Sequence, residues 1–118
     1  MSEKKTCGRC ENPCQKCRAK RISQLNAEAM AAMNRGEMDQ AEERLGEALA
    51  LAAAGNMAVH EANIHNSLAL VCSVRGDVDR ALTHYGDALD LTDGRICGEH
   101  ALLQALHRNL ARTLVSQA

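Results

Sequence analysis

Residues 76–91 read GDVDRALTHYGDALDL, and residues 36–51 read GEMDQAEERLGEALAL. The two segments align without a gap at an offset of forty residues. They share Gly36/Gly76, Asp39/Asp79, Ala41/Ala81, Gly46/Gly86, Ala48/Ala88, Leu49/Leu89 and Leu51/Leu91, with Glu37/Asp77, Met38/Val78, Leu45/Tyr85 and Glu47/Asp87 as conservative swaps. Repetition on this scale marks stacked supersecondary units that share one core.

Each segment is predicted to be the second helix of a hairpin. Gly36 and Gly76 supply the positive φ or close approach that a helix-to-helix turn needs. Asp77 suits an N-cap, and Asp79 suits the positive end of the helix dipole. Small Ala41/Ala81 and Ala48/Ala88 alternate with large Leu45/Tyr85 and Leu49/Leu89 at helical spacing, so ridges can pack against a partner. Gly55 and Gly94 stand where these helices should stop. Gly46 and Gly86 each cost about 1 kcal/mol relative to Ala in mid-helix, and their recurrence predicts a tight helix crossing.

The first helices are expected over residues 22–35 and 57–75, with buried stripes Leu25–Ala29–Ala32–Met33 and Ile64–Leu68–Val71–Cys72. A last helix, residues 98–117, carries Asn109-Leu110-Ala111, which echoes Ser67-Leu68-Ala69 at an offset of 42. It reads as the first helix of an unfinished third repeat, and so as a capping helix. The expected organisation is a head of residues 1–21 followed by a helical body of residues 22–118, with repeats at 22–55 and 57–94.

Composition agrees with an all-α fold. Apolar residues are mostly Ala, Leu and Met, with one Tyr and no Phe or Trp, and Pro13 is the single proline. Scarcity of β-branched and aromatic residues favours helix over strand. No apolar run is long enough for a membrane span, and the charged first residues lack an apolar signal region, so a cytoplasmic location is expected. Charge is uneven. Lys4, Lys5, Arg9, Lys16, Arg18, Lys20 and Arg21 stand against Glu3 and Glu11 in the head, whereas acidic side chains outnumber basic ones in the body.

The stretch NSLALVCSVRGDVDRALTHYGDALDL (residues 66–91) resembles the tetratricopeptide pattern: Leu-Ala in a first helix, Gly-Asp at the turn, then Ala, an aromatic and Ala-Leu in a second. The resemblance spans residues 22–118, more strongly in the second repeat than the first. Its period of 40–42 exceeds the ~34 of the common repeat and is similar to the long-helix variety of kinesin light chains and their bacterial relatives. Ala32, Leu45 and Cys72 occupy positions where the family places larger or aromatic side chains, so a thinner core is expected. About three repeats normally make a stable array. With two and a half, this body would draw support from the head or from a homodimer.

The resemblance implies two antiparallel hairpins plus a capping helix. It also implies a non-enzymatic interaction module whose concave groove, lined by the first helices, holds a partner's peptide or helix. By register that groove comprises Asn26, Met30, Met33, Asn66, Leu70, Ser73, Arg108 and Arg112. Asn side chains can pair with a ligand backbone, Arg with a carboxylate, and Met adapts to a partner's shape.

The head reads CGRCENPCQKC over residues 7–17, placing Cys7, Cys10, Cys14 and Cys17 as C-x2-C-x3-C-x2-C. Two C-x2-C pairs suit a tetrahedral thiolate site for zinc, with sulfur–metal distances of about 2.3 Å. Gly8 and Pro13 supply bends, nearby Lys and Arg offset the thiolate charge, and metal would supply folding energy that so short a polar segment lacks. An iron–sulfur cluster, a disulfide pair and a reversible thiol switch remain open alternatives. Cys72 is expected to be buried as a small hydrophobe, and Cys97 to sit at a loop-to-helix junction.

No nucleophile elbow, phosphate loop or carboxylate pair suggests an enzyme. The five histidines match no ligand spacing within a helix: His60 and His65 are off the face that HExxH requires, and His100 and His107 lie about 10 Å apart along theirs. They are expected at the surface or the core edge. Nucleic acid is a further reading of the basic head, opposed by the acidic body and the lack of aromatics to stack bases.

Overall fold

The computed structural model describes residues 14–95 and 100–117. Five helices account for nearly all of them, and no strand occurs among the described residues: α1 Gln15–Asn34, α2 Met38–Ala54, α3 Ala58–Arg75, α4 Val78–Thr92 and α5 Ala101–Gln117. α1/α2 and α3/α4 form antiparallel hairpins, and α5 packs against α4 and α3. The thinnest dimension, 18 Å, is that of two helix layers.

The turns explain why the repeat folds as it does. At the first, Glu37 N–H donates to Ala32 O at 2.8 Å and Gly36 N–H to Met33 O at 3.0 Å. At the third, Asp77 N–H donates to Cys72 O and Gly76 N–H to Ser73 O with the same two distances. Gly36 (φ 82) and Gly76 (φ 86) take the left-handed conformation this helix ending requires. Asp77 then caps α4, its carboxylate accepting from Arg80 N–H. The turn between α2 and α3 has the same hydrogen-bond pattern, but its left-handed residue is Asn56 (φ 54), not Gly55.

Gly55 instead lies close under α1. A Cβ there would overlap the Arg18 side chain, because the first turns of α1 lie across the end of α2. Gln15 Nε2 donates to Gly55 O at 2.9 Å, and Arg18 Nη1 donates at 3.0 Å to Leu51 O, which also accepts from Gly55 N–H, so the end of α2 is tied to α1. α1 thus begins ahead of residue 22. Residues 15–21, read from charge as part of the head, are helix, and their attachment to α2 makes them part of the body.

The expected stripes are buried. Leu25, Ala29, Ala32, Ala41, Leu45 and Ala48 join Ile64, Leu68 and Val71 in one cluster, with Met30 and Met33 packed against it. Ala62, Ala69 and Cys72 join Ala81, Tyr85, Ala88 and Leu106 in a second. Burial pushes the Cys72 thiol above its ordinary pKa, as suits an inert core cysteine. No helix among the described residues is long and apolar enough to cross a membrane.

Gly46 and Gly86 depart from expectation. Both are exposed, and a Cβ at either would meet nothing within 4 Å, so no helix crosses closely there. With no packing role, each leaves the full helix-propensity cost in place. Gly46→Ala and Gly86→Ala should each raise stability by about 0.5–1 kcal/mol, and roughly additively, in urea unfolding monitored by circular dichroism. A loss of stability from either would reveal a close neighbour on that face.

Candidate functional site

One face of α3 is lined by Val59, Asn63, Asn66, Leu70 and Ser73/Val74, spaced so that they form a single stripe about 22 Å long. This stripe runs beside α5 and borders two cavities. One, of about 450 Å³, is lined by Ser23, Val59, His60, Asn63, Asn66 and residues 100–102 and 105. The other, of about 280 Å³, is lined by Leu70, Ser73, Val74, Tyr85, Asn109, Arg112 and Thr113. Between them Asn109 Nδ2 donates to Asn66 Oδ1 at 3.0 Å. Among the described residues no carboxylate side chain lines either cavity.

The Asn66–Asn109 contact belongs to a repeating set. Ser67 Oγ donates to Asn26 Oδ1 at 2.6 Å, linking α1 to α3. Asn26 and Asn66 are related by the forty-residue period, and Ser67 and Asn109 by the offset of 42, so the two bonds are equivalent rungs in successive repeats. Ser73 Oγ and Thr113 Oγ1, 3.2 Å apart, add a contact between α3 and α5.

The residues expected in a peptide groove therefore divide. Asn66, Leu70, Ser73 and Arg112 border the α3–α5 cavities. Asn66 is only 8% exposed and, like Asn26 and Ser73, is engaged with the next first helix. Met30 and Met33 pack on the first core cluster, and exposed Arg108 lies outside both cavities. Helical register places four of the eight beside the cavities. It did not reveal that some of the polar side chains join helix to helix.

Sequence reading missed Tyr85 as a cavity residue. Its ring fills the second core cluster, and its buried hydroxyl lies near the Thr113 side chain at the edge of the smaller cavity. Burial raises the pKa of this phenol, so it remains protonated and able to donate.

The structure also brings together two histidines that share no helix. His65 Nδ1 on α3 and His84 Nδ1 on α4 are 3.0 Å apart, with ring centroids at 5.2 Å. Asp87, one turn beyond His84, completes a group whose ligand atoms lie within 4.8 Å of one another. Burial, then His65 and Arg80, hold His84 below its ordinary pKa, against the opposite pull of Asp87 and Glu42. Nineteen residues separate the histidines, so no single-helix spacing could have shown the pair.

Of the four head cysteines, Cys7 and Cys10 lie outside the described residues, as does Cys97. Cys14 is the N-cap of α1, its sulfur accepting from Cys17 N–H at 3.4 Å. The two sulfurs are 3.3 Å apart. Starting the helix at Cys14 turns a C-x2-C spacing into a pair of neighbouring thiols.

No protein-family model matches this chain, and searches of curated proteins and of solved structures likewise found no match.

The rungs make a quantitative expectation. Asn66→Ala removes a buried amide and the acceptor of the half-buried Asn109 amide, and should cost about 1 kcal/mol in denaturant unfolding. A double-mutant cycle with Asn109→Ala should recover about 1 kcal/mol of coupling, and strictly additive losses would show that the bond contributes nothing of its own.

Proposed function

We propose that this chain is a non-enzymatic adaptor of the long-repeat tetratricopeptide type, and that it takes a partner's peptide segment in the groove between α3 and α5. The observation that carries this reading is the cavity between α3 and α5, where the Tyr85 hydroxyl, apolar Leu70 and Val74 and the Arg112 guanidinium line one space. A ligand carbonyl or carboxylate placed there would accept from the Tyr85 hydroxyl. The flanking groups suit a peptide. Asn63 offers an amide for its backbone, Leu70 and Val74 offer apolar contact, and Arg112 favours an acidic group.

Peptides selected from a displayed library on the full-length protein would test this. Leu70→Glu should weaken them at least 10-fold by fluorescence polarisation. Tyr85→Phe should weaken them about 2–12-fold, the equivalent of one hydrogen bond. Selected peptides that bind both variants as tightly as the parent would refute the groove.

A metal at the N-terminus is a second reading, supported by the close approach of Cys14 and Cys17. Sulfurs about 2.3 Å from one zinc ion stand about 3.8 Å apart in a tetrahedron, so a small adjustment of this pair would suffice. Cys7 and Cys10 would complete a four-thiolate set, for zinc in preference to an iron–sulfur cluster. Protein purified without oxygen should carry zinc released by thiol-modifying reagent and show no visible absorption. Colour with bound iron and sulfide would reassign the head to a cluster, and metal-free protein with two disulfides would remove the site.

A further inference from the structure

The described residues hold a second set of metal-binding side chains, well removed in the chain from the head cysteines. We infer that His65, His84 and Asp87 form a site for a divalent first-row transition ion, of the zinc, cobalt or nickel class, bridging the two helices of the second hairpin.

The geometry supports this at three points. Two ligand nitrogens about 2.1 Å from one ion stand about 3.0 Å apart at a right angle and about 3.4 Å at the tetrahedral angle. The two Nδ1 atoms are already 3.0 Å apart. The third group is a carboxylate on the same face of α4 as His84, with its oxygen inside the 4.8 Å group and exposed enough to swing onto an ion. Two imidazoles and one carboxylate suit a borderline ion rather than calcium or magnesium, which take oxygen ligands. Three protein ligands leave a position for water or another group.

The surroundings are compatible with a cation. Arg80 is the nearby positive charge, but it is paired with Glu42 at 3.5 Å and with Asp77 at 3.8 Å. In the absence of metal the two rings can share a hydrogen bond through one Nδ1–H, which keeps them in place at no cost in buried polarity. An ion would take its place between the rings, that proton moving to Nε2 of the same ring, and fix α3 to α4.

Zinc titration into the unmodified full-length protein at neutral pH, followed through its histidine-ring nitrogen spectra, tests the site. The expected result is that the rings of His65 and His84 shift together through Nδ1 at one equivalent beyond any metal held by the cysteines, with His60, His100 and His107 unchanged. In calorimetry, His65→Gln and His84→Gln should each weaken this equivalent at least 10-fold and Asp87→Asn several-fold, leaving thiolate-bound metal as it was. Saturating zinc should raise the melting temperature of the parent by several degrees and that of His84→Gln by less. Histidine spectra that do not respond, or that shift first at other histidines, overturn the inference. So does an affinity unchanged in folded His65→Gln and His84→Gln proteins. Because the ring spectra need no variant, a substitution that disturbs folding does not obscure the answer.

Discussion

α3 is covered from both sides, and this constraint organises the molecule. Ile64, Leu68 and Val71 enter the first core cluster, while Ala62, Ala69 and Cys72 enter the second. A helix with a hairpin partner, a preceding hairpin and a following helix has little surface left for water. Its hydrophobicity is therefore spread around much of its circumference instead of forming one stripe. The remaining polar positions must find partners in the protein, because a buried amide or hydroxyl left unpaired is costly. Asn66 and Ser67 do so through the neighbouring first helices.

A core built from this much alanine gains modest hydrophobic energy per residue, since each alanine buries little apolar area. The clusters owe most of their bulk to a few side chains, chiefly Leu25, Leu45, Ile64, Tyr85 and Leu106. Small side chains allow helices to approach closely, but they fix sliding poorly because few knobs interlock. The Asn26–Ser67 and Asn66–Asn109 bonds supply that missing register. Their equivalence under the repeat makes them the polar counterpart of the repeated Ala and Leu positions. The Arg75 and Arg80 contacts to Asp39 and Glu42 tie α3 and α4 to α2 at the surface, where exposed pairs contribute less.

The fold was legible because its signals are local and repeated. The forty-residue offset, Gly36 and Gly76 at the turns, Asp77 as a cap and the 64–68–71–72 stripe each follow from helix geometry within a short window. What was not legible depends on contacts between distant segments. Asn66 lies on the face read as a groove, yet α5 takes up its acceptor oxygen. His65 and His84 meet only because the hairpin folds back. Gly46 and Gly86 recur with the period but pack against nothing, so recurrence alone was a poor guide to close packing. The start of α1 was obscured because a run of charge resembles a separate head, whereas Gln15 and Arg18 use their polarity to cap α2.

His65 and Asn66 are consecutive residues of α3 that face different helices. The first meets α4, and the second meets α5 at the divide between the two cavities. α4 in turn reaches α5 through the cluster that contains Tyr85 and Leu106. α3, α4 and α5 thus form a closed triangle of contacts in which no side can lengthen independently. An ion held by His65, His84 and Asp87 would stiffen one side at nearly its present spacing, whereas a peptide between α3 and α5 would act on another. Coupling between the two sites requires only that the ion and the peptide favour different spacings of the same helix. α3, buried by both neighbours, is the element through which either would be felt.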